Sequence, residues 1–150
     1  MVAFWGRGSV REAAPGPPQP SPDPPIPAVL WVPDDDMRLL LRGILTLQHY
    51  PVALELTSAE ALRRWEPPPV ALLIVDAGSG ADRWREELAE ALRIHPELRA
   101  IVLLPRDQEK LREEAQRQGA SSTLARPFAV EDLLEAIHRA VHAPSRPAAA

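Results

Sequence analysis

Val70-Ala71-Leu72-Leu73-Ile74-Val75 is a short apolar run that closes on a carboxylate, Asp76. Its length suits a strand. A strand that is apolar on both faces has no side to give to water, so it belongs in the middle of a parallel sheet covered by helices. This segment constrains the chain more than any other, because it requires partners above and below it.

The rest of the sequence supplies those partners. Ala28-Val29-Leu30-Trp31-Val32 reads as a buried strand. Met37, Leu40, Leu41, Ile44 and Leu45 then recur with helical spacing. Pro51 to Leu56 alternates and reads as a strand, and Thr57-Ser58-Ala59-Glu60 has capping-box spacing for a short helix through Trp65, ended by Pro67-Pro68-Pro69. Trp84, Leu88, Ala91 and Leu92 mark a helix that stops at His95-Pro96. Ala100 to Leu104 is a fourth strand, followed by a polar helix capped by Asp107 and stopped by Gly119. Ser122 to Ala125 is a fifth strand, and Leu133, Leu134, Ile137 and Val141 define the last helix. Five strand–helix units predict an α/β fold, a doubly wound five-stranded parallel sheet with helices on both faces. Periodicity leaves open whether the strand order is dinucleotide-binding or flavodoxin-like, but either order puts function where strands end and helices begin.

Eighteen prolines would be hard to fit in such a domain, yet eight of them lie between Pro15 and Pro27. Proline fixes φ and removes a donor, so this stretch is neither helix nor central strand. Residues 1–27 are expected to form a disordered Pro-rich tail, 28–142 the domain, and 143–150 a second disordered tail. The net charge of −4 gives no basic face for nucleic acid, and no cysteine is present for disulfides or thiolate zinc sites. No apolar run reaches the roughly 20 residues needed to cross a bilayer. Met1 to Arg7 lacks the basic start of a signal peptide, so a cytoplasmic location is expected.

Three loops carry the candidate chemistry. Asp34, Asp35 and Asp36 follow the first strand, where they could hold Mg²⁺ or simply favour a helix start. Asp76 ends the third strand and is followed by Gly78-Ser79-Gly80, a weak phosphate-cradle signal. Arg126 follows the fifth strand and can pair with a carboxylate or phosphate. Pro127 next to it is a candidate for a cis peptide. His49, His95, His138 and His142 show no metal-ligand pattern and read as surface residues.

Over residues 28–142 the chain resembles the CheY-like receiver domain of response regulators. The motifs are Leu73-Ile74-Val75-Asp76 and Gly119-Ala120-Ser121-Ser122-Thr123-Leu124-Ala125-Arg126-Pro127-Phe128. The resemblance implies strand order 2-1-3-4-5, Asp76 as phosphoacceptor, and partners such as a histidine kinase, a phosphotransfer protein or an effector. Those partners are expected on the face made by the fourth helix, fifth strand and fifth helix.

The departures from that family are specific. Val32 and Pro33 stand where it has an acid pair for Mg²⁺, unless a slipped register recruits Asp34 and Asp35. Leu104 replaces a hydroxyl residue, Arg126 a lysine, and Thr123 the aromatic switch. The resulting expectation is an atypical receiver, a pseudo-receiver that is not an enzyme and needs no cofactor. It would act as a phosphorylation-independent interaction module, with output through another protein or a homodimer. The alternatives are a conventional receiver phosphorylated on Asp76 with Mg²⁺ bound, and a small flavin- or nucleotide-binding protein of the same fold.

Overall fold

The computed structural model describes residues 25–78, 83–106 and 108–143. The elements follow the sequence pattern. They are β1 (Ala28–Trp31), α1 (Asp35–Leu47), β2 (Val52–Glu55), α2 (Glu60–Arg64), β3 (Leu72–Asp76), α3 (Trp84–Ile94), β4 (Arg99–Leu104), α4 (Glu109–Arg117), β5 (Ser122–Ala125) and α5 (Val130–Val141). The five strands form one parallel sheet in the order β2-β1-β3-β4-β5. This is the flavodoxin-like 2-1-3-4-5 order, in which the chain reverses direction of winding after β2.

Every residue of β3 is buried, as its two-sided apolar pattern requires. Side chains alternate across the sheet with period two. Val29, Trp31, Leu73, Val75, Val102 and Leu104 join the layer with Leu62, Trp84, Leu88 and Ala115 from α2, α3 and α4. Leu30, Val32, Leu72, Ile74, Ile101 and Leu103 join the opposite layer, with Leu41 and Leu45 of α1 and Leu133, Ala136 and Ile137 of α5. Full burial of each Leu, Ile or Val stabilises the fold by about 1.5–3 kcal/mol before entropy is counted. The domain also takes in residues just before Ala28: Ile26 packs on the α1–α5 layer and the Pro27 carbonyl accepts from Leu72 N–H at 2.9 Å.

One helix start differs from the sequence reading. The capping box at residues 57–60 does not form. Ala59 is the N-cap of α2 without a side-chain bond, and the Ser58 hydroxyl sits 3.4 Å from Glu60 N–H instead. Asp107 lies outside the described residues, and Gln108 is the N-cap of α4. The helix stops behave as expected. Gly119 after α4 has φ 107°, the left-handed conformation that costs glycine least. His49 after α1 also adopts positive φ, 68°, where the chain turns sharply into β2.

Ion pairs tie the helices to their neighbours. Arg42 grips Glu55 of β2 through Nε and Nη2, at 2.9 and 3.1 Å. Arg85 of α3 reaches Glu114 of α4 with two guanidinium nitrogens and lies 4.7 Å from the Trp84 ring centroid. No helix among the described residues is long and apolar enough to cross a membrane.

Candidate functional site

The loops at the C-terminal edge of the sheet converge on Asp76. It ends β3 with 1% of its surface exposed. Burying a carboxylate there is costly unless its charge is met. Oδ1 accepts the backbone N–H of Gly78 at 2.8 Å and forms an ion pair with Nη2 of Arg126. The guanidinium contact is close but not aligned as a hydrogen bond, since Nε and Nη2 are buried without an aligned acceptor among the described residues. Oδ2 of Asp76 has no hydrogen-bond partner among the described residues.

The sheet geometry explains the contact. Arg126 directly follows β5, and its N–H donates to Leu104 O at 3.0 Å. Its side chain therefore spans the end of β4 to reach β3. Leu104, 1% exposed, is the last residue of β4 and brings no hydroxyl to that passage. The Arg126–Pro127 peptide is cis, as the sequence allowed. A Cβ at Gly78 would lie 3.3 Å from Asp76 Oδ1 and 3.5 Å from Arg126 Cζ. A larger residue here would crowd the ion pair, because the loop backbone presses against it.

On the other side of Asp76 the site is aliphatic. β1 and β3 pair with Trp31 level with Val75, so the next position sets Val32 level with Asp76. Val32 is fully buried and Pro33 is exposed. The aspartates after them turn to other work. Asp34 is the N-cap of α1, its Oδ1 accepting from Asp36 N–H at 3.0 Å. Asp35 is exposed and paired with Arg38, whose Nη1 donates to Val32 O at 3.0 Å. Asp34 and Asp35 are thus engaged locally, one in the helix cap and the other with Arg38. Among the described residues no three His, Asp or Glu side chains are placed to hold a metal ion. Among the described residues, Val32 and Pro33 at the acid-pair positions do not fit the Mg²⁺ site that the resemblance implies.

One carboxylate near the site went unnoticed in the sequence. Glu87 on α3 is partly buried, and its pKa is pushed up to about 7. Burial is the main cause; Arg83 opposes it, while the charges of Asp76 and Glu86 add to it. Its spacing was the available signal. Trp84, Glu87, Leu88 and Ala91 share one helical stripe, and the other three are fully buried.

Thr123, at the position of the aromatic switch, is half-buried on β5. It lines an open groove of about 560 Å³ between α4 and α5, with Arg112 and Gln116 on one wall and Asp132 and Arg139 on the other. Ser122 beside it is buried, and its hydroxyl has no hydrogen-bond partner among the described residues. Ser79 and Gly80 of the glycine-rich loop lie outside the described residues.

No protein-family model and no curated protein matches the sequence. Solved structures do. A response regulator protein from Burkholderia pseudomallei, described with a phosphorylated aspartic acid, calcium ion and citrate, matches at TM-score 0.62 and 24% identity over 74% of this chain. This chain spans 65% of that one. A CheY-like response regulator receiver domain protein from Methanospirillum hungatei JF-1 matches at TM-score 0.60 and 24% identity, covering 77% of this chain and 94% of its own. The signal receiver domain of a modulated diguanylate cyclase from Desulfovibrio desulfuricans G20 matches at TM-score 0.59 and 26% identity, covering 78% and 94%. The order of the strands, the layers of helices and these neighbours agree: the chain has the fold of the CheY-like receiver domains of response regulators.

Proposed function

We propose that the chain is a receiver-like signalling module of two-component type that engages a partner protein without a phosphorylation cycle at Asp76. One observation carries the reading. Asp76 is held by Arg126 and Gly78 N–H, while Val32 and Pro33 occupy the positions where an acid pair would hold a cation. Phosphoryl transfer depends on positioning and charge neutralisation. Here a fixed guanidinium already neutralises the carboxylate, and the opposite wall is hydrocarbon. Leu104 and Thr123 also leave no hydroxyl-to-aromatic relay to report a change at the site.

The partner surface in this reading is the α4–β5–α5 face. The groove there, lined by Thr123 where a large ring is expected, offers polar walls of both charge signs to a histidine kinase, phosphotransfer or effector protein. The competing reading, a conventional phosphoacceptor, is favoured by Oδ2 of Asp76, which has no partner among the described residues. Intact-mass measurement after incubation with a small phosphodonor and Mg²⁺ separates the two. The proposal predicts an unmodified chain. A phosphoryl adduct that disappears in Asp76→Asn would replace it with the phosphoacceptor reading.

A further inference from the structure

Away from Asp76, the fold brings two nitrogen ligands together. His138 and His142 stand four residues apart at the end of α5, and both are exposed. Residues at i and i+4 share one helix face. The sequence reads the two as surface residues, and spacing alone does not show that their side chains meet. In the structure their ring centroids are 4.3 Å apart, with the planes tilted by 53°. Metal–nitrogen bonds of about 2.0–2.1 Å set two imidazoles on one ion with centroids roughly 4.5–5 Å apart, so the pair has to open by less than about 1 Å. The same i, i+4 spacing lets a single helix give two histidines to one zinc in H-E-x-x-H sites.

The backbone beneath the pair is already ordered. His142 is the C-cap of α5, and its N–H donates to His138 O at 3.1 Å, which closes the turn between the two residues. Arg99, at the start of β4, donates to the carbonyl of Ala143, the next residue along. A ligand therefore meets a helix end that is pinned to the sheet, which lowers the entropy lost on binding. A helix C-terminus carries partial negative charge, so a cation is favoured there. The charged residues beside the pair on α5, Glu135 and Arg139, are bound to each other at 2.7 Å. Among the described residues no third His, Asp or Glu joins the two rings. Water would complete the coordination, as in an open and exchangeable site rather than a closed structural one. α5 runs back from the C-terminal edge of the parallel sheet, so this helix end lies at the opposite edge from Asp76.

We propose that His138 and His142 form a binding site for a late first-row divalent cation of the Zn²⁺ and Cu²⁺ type. Imidazole nitrogen suits these ions, whereas Mg²⁺ is a hard cation that prefers oxygen. The proposal does not rest on the reading of Asp76. Calorimetric titration of the full chain with Zn²⁺ near neutral pH tests it, using His138→Ala, His142→Ala and, as a control, His49→Asn. His49 is exposed at φ 68°, a conformation that asparagine tolerates. The wild type and His49→Asn are expected to bind one ion per chain with equal affinity, undiminished by excess Mg²⁺. The second ring binds intramolecularly, so losing either histidine of the pair should weaken the site at least about tenfold. Cu²⁺ should bind the same two residues more tightly than Zn²⁺. His138 and His142 are exposed, so circular dichroism should show their variants folded. A wild type without saturable Zn²⁺ binding would overturn the proposal. So would Zn²⁺ binding that survives undiminished in both alanine variants, that Mg²⁺ displaces, or that falls as far in His49→Asn.

Discussion

Replacing Glu87 by Gln probes the electrostatics around Asp76. Glu87 titrates near 7 against an ordinary 4.5, because burial penalises its charge and Asp76 adds to the penalty despite Arg83. The full shift corresponds to about 3 kcal/mol at 1.36 kcal/mol per unit. Glu87 keeps contact with water, so we discount this to about 1–2 kcal/mol. The sign follows from proton linkage. The folded state holds the Glu87 proton more tightly than the unfolded state, so this group lowers stability as pH rises from about 4.5 to about 7. Above that window the cost is complete; below it there is none. Glutamine cannot ionise, so Glu87→Gln should match the wild type at pH 4 and exceed it by about 1–2 kcal/mol at pH 8. Urea unfolding of both proteins at the two pH values reads the difference, with all other titrations cancelling. Asp76→Asn removes one of the charges that raise Glu87 and should shrink the effect. An equal difference at both pH values, or none at pH 8, would refute the assignment.

Three further substitutions test other parts of the account. Asp34→Ala removes the cap of α1 and should cost about 1 kcal/mol in chemical denaturation, by the same amount with and without Mg²⁺. Arg126→Ala leaves the buried Asp76 carboxylate without its cation and should cost about 3 kcal/mol, much of it recovered when Asp76→Asn is added. Leu73→Ala opens a cavity in the middle of the central strand and should cost about 2–5 kcal/mol, read as a lower urea midpoint at unchanged slope.

The sequence exposed the fold because its signals were redundant. A strand apolar on both faces, helices with one apolar stripe and a glycine stop after α4 all pointed to one architecture. The strand order came from the resemblance, since periodicity carries no information about which strands adjoin. The places of Asp76 at the end of β3 and of Arg126 just after β5 were also legible, because each closes a short apolar run, whereas the cis peptide before Pro127 was allowed by the sequence and not required by it. Less legible was how the carboxylates divide their work. Three consecutive aspartates look alike in sequence, but only the backbone shows Asp34 capping α1 and Asp35 paired with Arg38. The Ser58 turn was misread as a capping box because side-chain spacing does not reveal where the first helical turn closes. Glu87 was overlooked because a charged residue on a helix is usually solvated, although its place on the Trp84–Leu88 stripe marked it as different.

The central claim is that the Asp76 pocket holds its own counter-ion and takes up neither Mg²⁺ nor a phosphoryl group. Trp31 ends β1 beside the pocket and Trp84 opens α3 after the Asp76 loop, and both are buried. Tryptophan fluorescence during Mg²⁺ titration, with and without beryllofluoride, therefore reads the site directly. The account predicts no saturable change in the folded protein. A saturable change that is lost in Asp76→Asn would contradict it and make the chain a conventional phosphoacceptor.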